Sequence, residues 1–177
     1  RIIAWLSNHQ LTYEDSNEEY RLYFNHMLQK QTNHLLNEIK NLNETEEKLI
    51  GCAAIILTGL AYKDEKNYLD NGLNILKNLI KHSLDKQGFP KSRNIQNLVF
   101  YLKYLIIIRE WFKESQITIP EYICSSDLIV SAESLVRSTH SHPSSDNLFH
   151  KTLCTASTKI TFPSTIRLKV YIYRSTR

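Results

Sequence analysis

KLIGCAAIILTGLA, Lys48 to Ala61, is the stretch on which the reading of this chain turns. As a helix it is apolar on nearly every face, and a helix of that kind has to be covered on several sides. Gly51, Cys52, Ala53 and Ala54 give it a thin waist, so neighbouring helices can approach closely. The segments on either side have the opposite character. Ser16 to Leu42 and Asn67 to His82 each carry a single apolar stripe, as helices on a surface do. A second segment apolar all round, Ile95 to Phe112, follows. The order outer, inner, outer, inner is what stacked helical hairpins need.

The boundaries have their own signals. Asp15 and Ser16 are N-cap types, and Glu18 and Glu19 suit the positive end of a helix dipole. Asn43 can end that helix, and the next begins between Asn43 and Glu47. The third starts after Asp64 and ends near Asp85, where Gly88 and Pro90 force an irregular loop. Ser92 can cap the fourth, which runs to Lys113, and Pro120 stops any continuation. The hairpins Ser16 to Ala61 and Asp64 to Lys113 recur at about 48 residues, a period shared by open helical solenoids and closed α/α toroids. The fold class expected is therefore all-α, as helical hairpins of an incomplete toroid.

The chain has 177 residues, enough for one domain with a real core. It opens on Arg1 and its single methionine is Met27, so it reads as a fragment in which a signal peptide would not be observable. Its longest apolar runs fall short of the ~20 residues of a membrane span, and none is expected. Net charge is +4, and it sits in the C-terminal third. From Cys124 onward seven basic residues outnumber three acidic ones, whereas the helical body carries fifteen of each. A neutral body does not indicate a basic groove, so no nucleic acid is expected as a partner.

After Ile123 the helical pattern ends. About a third of residues 124–177 are Ser or Thr, and all four glycines lie before it. Ile166 to Tyr173 alternates like a half-buried strand. Two readings stay open for this tail: a flexible Ser/Thr-rich segment, or a stretch made foreign to the domain by a reading-frame error. The domain division expected is 1–123 for the helical body and 124–177 for the irregular tail.

Three features of the body carry a family likeness. They are the opening Arg1-x-x-x-Trp5-Leu6, the run Ala54-x-x-x-x-Gly59-Leu60, and the Asp85-containing loop with Ser92-Arg93 just before an inner helix. Over Arg1 to Ile123 the chain resembles the helical domain of bacterial heparinase II/III-family proteins. The resemblance implies an N-terminal α/α toroid followed by a C-terminal β-sandwich domain, which is expected to be missing from this fragment. It also implies cleavage of uronic-acid polysaccharides of heparin, heparan or alginate type by β-elimination, an anionic polysaccharide as partner, and a periplasmic location.

That chemistry makes definite demands. The carboxylate beside the proton to be removed must be neutralised, a base must take the proton, and a tyrosine commonly supplies one to the leaving oxygen. Where active relatives tend to carry an Asn-His pair this chain has Thr45, Glu46 and Glu47, and carboxylates there repel a uronate. The loop Asp85 to Gln96 has no tyrosine, the next being Tyr101. No catalytic residue is assigned, and the fragment alone is not expected to turn over substrate.

Binding asks less. Lys91 and Arg93 lie beside the start of an inner helix, where free N–H groups and the dipole favour a carboxylate or sulfate; as plain loop charges they would simply be solvated. Asn8 and His9 follow a short initial helix with Trp5, a set suited to a sugar, although Trp5 among Ile2, Ile3 and Leu6 reads as core. The substrate-binding set expected is thus Asn8, His9, Lys91 and Arg93.

His140, His142, His150 and Cys154 have ligand chemistry for zinc but no paired-cysteine spacing, and no metal or other cofactor is expected. Cys52 reads as a small buried hydrophobe, and three scattered cysteines make no disulfide framework. His26 and His34 are two turns apart, too far for joint chelation. Adjacent Glu46 and Glu47 point different ways on a helix, which makes an acid/base pair unsuitable. The alternative from another class is a non-catalytic helical-repeat module that binds a protein partner on a concave face.

Overall fold

In a computed structural model, residues 1–62, 66–85 and 89–124 are described. They are mostly helical and contain no strand. Helix α1 (Ile2–Ser7) leads through a π-helical turn, Gln10–Glu14, into α2 (Glu18–Glu38). Then come α3 (Thr45–Ala61), α4 (Lys66–Ser83), α5 (Ile95–Glu114) and the short α6 (Glu121–Cys124). The four long helices fall in the segments that the apolar periodicity predicts. The strand pattern at Ile166 to Tyr173, the His140, His142, His150 and Cys154 set and the rest of the tail after Cys124 lie outside the described residues.

The caps sit one or two residues from where the sequence places them. Asn17, not Asp15 or Ser16, closes the start of α2, its Oδ1 accepting from the Tyr20 N–H at 2.8 Å. Asn94, not Ser92, caps α5, its Oδ1 accepting from the Gln96 N–H at 2.9 Å. Both are Asx caps, which satisfy an N–H that the first helical turn leaves without a carbonyl. Helix α2 stops at Glu38 rather than Leu42, and Ile39 just beyond it is buried. At the far end of α5, Gln116 takes a left-handed φ of 56°, and the Ile117 N–H returns to the Phe112 carbonyl at 3.2 Å. That is the usual way to satisfy terminal carbonyls, here without the glycine that normally adopts it.

Helix α3 is the hub. Leu49 and every residue from Gly51 to Leu60 are buried, and α3 packs against α1, α2, α4 and α5. The outer helices each bury one stripe, Phe24, Leu28, Thr32 and Ile39 from α2 and its end, and Tyr68, Leu76 and Leu79 from α4. The α3–α4 contact is close because two glycines allow it. A Cβ on Gly59 would stand 2.5 Å from the Leu69 nitrogen, and one on Gly72 would stand 2.7 Å from Ile56 Cγ1.

Helix α5 departs from the expectation of a second fully wrapped rod. It buries one stripe, Leu98, Tyr101, Leu102, Leu105, Ile108, Trp111 and Phe112. Val99, Phe100, Tyr104, Ile106 and Ile107 are only half-buried, and Ile95 is 51% exposed. The physical reason is that its burial comes chiefly from α3, with α6 covering one end, and no other described helix lies across its far side in comparable contact.

The hydroxyl and thiol groups buried between the helices reach backbone carbonyls, whereas the buried Ser115 hydroxyl has no partner among the described residues. The Thr32 and Thr58 hydroxyls bond to the Leu28 and Ala54 carbonyls of their own helices, each at 2.9 Å, and lie 3.4 Å apart across the α2–α3 contact. Cys52 Sγ donates to the Gly72 carbonyl at 3.0 Å, and the Tyr122 hydroxyl of α6 donates to the Leu73 carbonyl at 3.1 Å. Burial pushes the Cys52 thiol up to about 12. Tyr122 is likewise raised to about 12, by desolvation first and by the neighbouring Cys52 second.

Candidate functional site

The four residues singled out as a sugar-binding set occupy two separate places. Asn8 and His9 stand at the end of α1. The Asn8 side-chain amide donates to the Ala4 carbonyl at 2.8 Å, so one of its donors caps its own helix. His9 is largely enclosed, and its Nε2 lies 3.4 Å from Glu14 Oε1. The pair misses hydrogen-bond geometry and acts as an ion pair when the ring is protonated. Trp5 is half-buried and packs on Phe24, ring centres 5.9 Å apart, in the core role read for it. Around Phe24 the rings of Tyr13 and Tyr20 complete an aromatic cluster.

Lys91 and Arg93 stand at the start of α5, and no hydrogen bond or ion pair joins them to Asn8 or His9. Their position comes from a loop that folds back on α4. Leu84 and Pro90 form an antiparallel bridge, the Asp85 N–H donates to the Phe89 carbonyl at 2.8 Å, and the Lys91 N–H donates to the Ser83 carbonyl at 2.9 Å. Asp85 Oδ1 accepts from the Phe89 N–H at 2.9 Å while Oδ2 pairs with Arg93 at 3.0 Å. Arg93 sits in the left-handed region, φ 54°, as the chain turns into α5. Its charge is therefore already answered by a carboxylate, although the guanidinium is two-thirds exposed.

Lys91 is differently placed. Its Nζ donates to the Lys81 carbonyl at 3.3 Å, at the negative end of α4, and an ammonium with one such bond keeps two donors for other partners. The fold-back sets Lys91 beside Lys81, and Lys77 lies one turn earlier on α4. All three are exposed, and no carboxylate among the described residues is within ion-pair distance of any of them. His82 follows, its Nδ1 2.7 Å from the Asn78 carbonyl.

Overall neutrality of the body hides this clustering. Glu14 to Glu47 contains eight acidic side chains and only Arg21, Lys30 and Lys40 as basic ones. Lys77 to Arg93 contains five basic side chains and Asp85 alone as an acid. Counting charge in windows along the chain, rather than over the whole body, would have found it.

The positions weighed above against lyase chemistry take structural roles. Thr45, Glu46 and Glu47 form the first turn of α3, where two carboxylates favour the helix dipole. Tyr101 is buried in the α3-facing stripe of α5. Among the described residues no group of His, Cys, Asp and Glu is placed to hold a metal ion, and no helix is long and apolar enough to cross a membrane. Comparison with protein families, with curated proteins and with solved structures finds no match to this chain.

Proposed function

We propose that residues 1–123 are the scaffold part of a polysaccharide-lyase-like protein, an incomplete α/α toroid that binds an anionic, uronic-acid polysaccharide. The lyase chemistry belongs to the complete protein with a C-terminal β-sandwich domain, and the helical part alone turns over nothing. The observation that carries the reading is the cationic fold-back at the start of α5, Lys91 and Arg93 against the end of α4, because it offers positive charge where an acidic sugar needs it. Two features fit the scaffold. Helix α3 is wrapped by four others, and α5 keeps a half-covered apolar flank of the kind that a further hairpin of a toroid would cover.

The same flank gives the second reading its footing. In a non-catalytic helical-repeat module, Ile95, Phe100, Tyr104 and Ile107 would meet a protein partner or another repeat. The test is to extend the chain through the following reading frame, add uronic-acid polymer and follow the ultraviolet absorbance of the unsaturated product. The lyase reading expects β-rich sequence with a histidine downstream and a rising absorbance. More helical hairpins and a flat trace would leave the interaction module.

A further inference from the structure

Three of the cations near the loop share a property that Arg93 lacks. Arg93 is matched by Asp85, whereas Lys77, Lys81 and Lys91 have no carboxylate within ion-pair distance among the described residues. The α4 dipole accounts for a cation in its last turn, Lys81. It accounts neither for Lys77, a turn earlier, nor for Lys91, which is delivered from beyond the loop by the Leu84–Pro90 bridge. Three like charges gathered on one exposed surface repel one another, and a partner of opposite charge relieves that repulsion.

We propose that Lys77, Lys81 and Lys91 form one docking track for a linear acidic polysaccharide, separate from Asn8 and His9. The inference rests on the anionic-polysaccharide reading above and says where on the chain that polymer lies. Lys77 and Lys81 are four residues apart, about 6 Å along the helix axis, a spacing comparable with one sugar ring of a polymer that bears a charge on every ring. Flexible, strongly hydrated ammonium groups make point-charge contacts rather than the bidentate fit of an arginine. The track therefore holds the polymer by charge and density of charge, and performs no chemistry on it.

The experiment titrates the whole chain with a labelled uronate oligosaccharide, read by fluorescence anisotropy over a series of salt concentrations. A neutral oligosaccharide of the same length and a DNA duplex are run beside it. The variants are Lys77→Gln/Lys81→Gln/Lys91→Gln and, in and just after α2, Lys30→Gln/Lys40→Gln; all five lysines are exposed, and circular dichroism checks that each variant is folded. The track expects uronate binding that weakens with salt, no binding of the neutral sugar, and a loss of about tenfold or more in the triple variant. The log–log salt slope should become shallower in the triple variant, and the Lys30/Lys40 variant should match the wild type. Wild-type binding that survives unchanged in the triple variant overturns the track and leaves the polysaccharide reading standing. Failure of the wild type to bind any acidic sugar overturns both, and tighter binding of the duplex than of the uronate at equal salt overturns the assignment to a sugar.

Discussion

Gly59 and the backbone of Leu69 leave no room for a methyl group between them, since a Cβ on Gly59 would stand 2.5 Å from the Leu69 nitrogen. A backbone nitrogen in a helix cannot move aside as a side-chain tip can. At Gly51 the nearest atom to an added methyl is Ile39 Cδ1 at 3.1 Å, the end of a flexible side chain.

The two glycines should therefore respond oppositely to alanine. Gly59→Ala is expected to lose ~1–3 kcal/mol through overpacking, more than the ~1 kcal/mol that alanine gains in a helix interior. Gly51→Ala is expected to be neutral or slightly stabilising. Urea unfolding followed by circular dichroism compares them, and equal effects would show that α3 and α4 are not in backbone contact.

Cys52 should be silent towards thiol reagents in the folded protein. Its thiol is buried, donates to the Gly72 carbonyl and is pushed up from 9.0 to about 12, so almost no thiolate is present near neutral pH. A raised folded-state value means stability is fully present below about pH 9 and is lost as pH rises towards 12, because the unfolded chain ionises first. Tyr122, raised from 10.0 to about 12, acts in the same direction. Denaturant midpoints between pH 8 and pH 11 should fall in the wild type, and fall less in Cys52→Ala.

Gln116 offers a site for improvement. It ends α5 at φ 56°, where glycine carries no side-chain penalty. Gln116→Gly is expected to raise stability by about 0.5–1 kcal/mol. An unchanged or lowered thermal midpoint would contradict the left-handed turn.

Asp85 should restrain anion binding. Asp85→Asn keeps an oxygen to accept the Phe89 N–H yet removes the charge that pairs with Arg93, whose exposure limits the stability cost to about 1 kcal/mol or less. Affinity for a uronate oligosaccharide is expected to rise several-fold at low salt, with the gain fading as salt screens it. Isothermal titration calorimetry of both proteins measures the difference.

How much of this was legible in the residues depended on the length scale of the signal. The all-round apolar run Lys48 to Ala61 announced a buried rod because every face had to be covered, and α3 is one. Ile95 to Phe112 gave the same signal, yet α5 is buried along one stripe, since composition states what a helix could bury and not which neighbours are present. Caps slipped by a residue or two because Asp15, Ser16 and Asn17 are all capping types, and the side chain whose oxygen reaches the third N–H wins. Lys91 and Arg93 were visible as loop cations, but the Leu84–Pro90 fold-back that sets Lys91 beside Lys81 and gives Arg93 to Asp85 depends on backbone geometry that no spacing encodes. The local bond of Asn8 and the approach of His9 to Glu14 were hidden for the same reason.

Hydrogen exchange of the intact chain, measured by mass spectrometry with and without a saturating uronate oligosaccharide, tests the central claim most directly. The account expects added protection in peptides covering Lys77 to Ser83 and Lys91 to Asn97, with none in Glu18 to Glu47. Protection confined to α2, or identical exchange with and without the sugar, would contradict it.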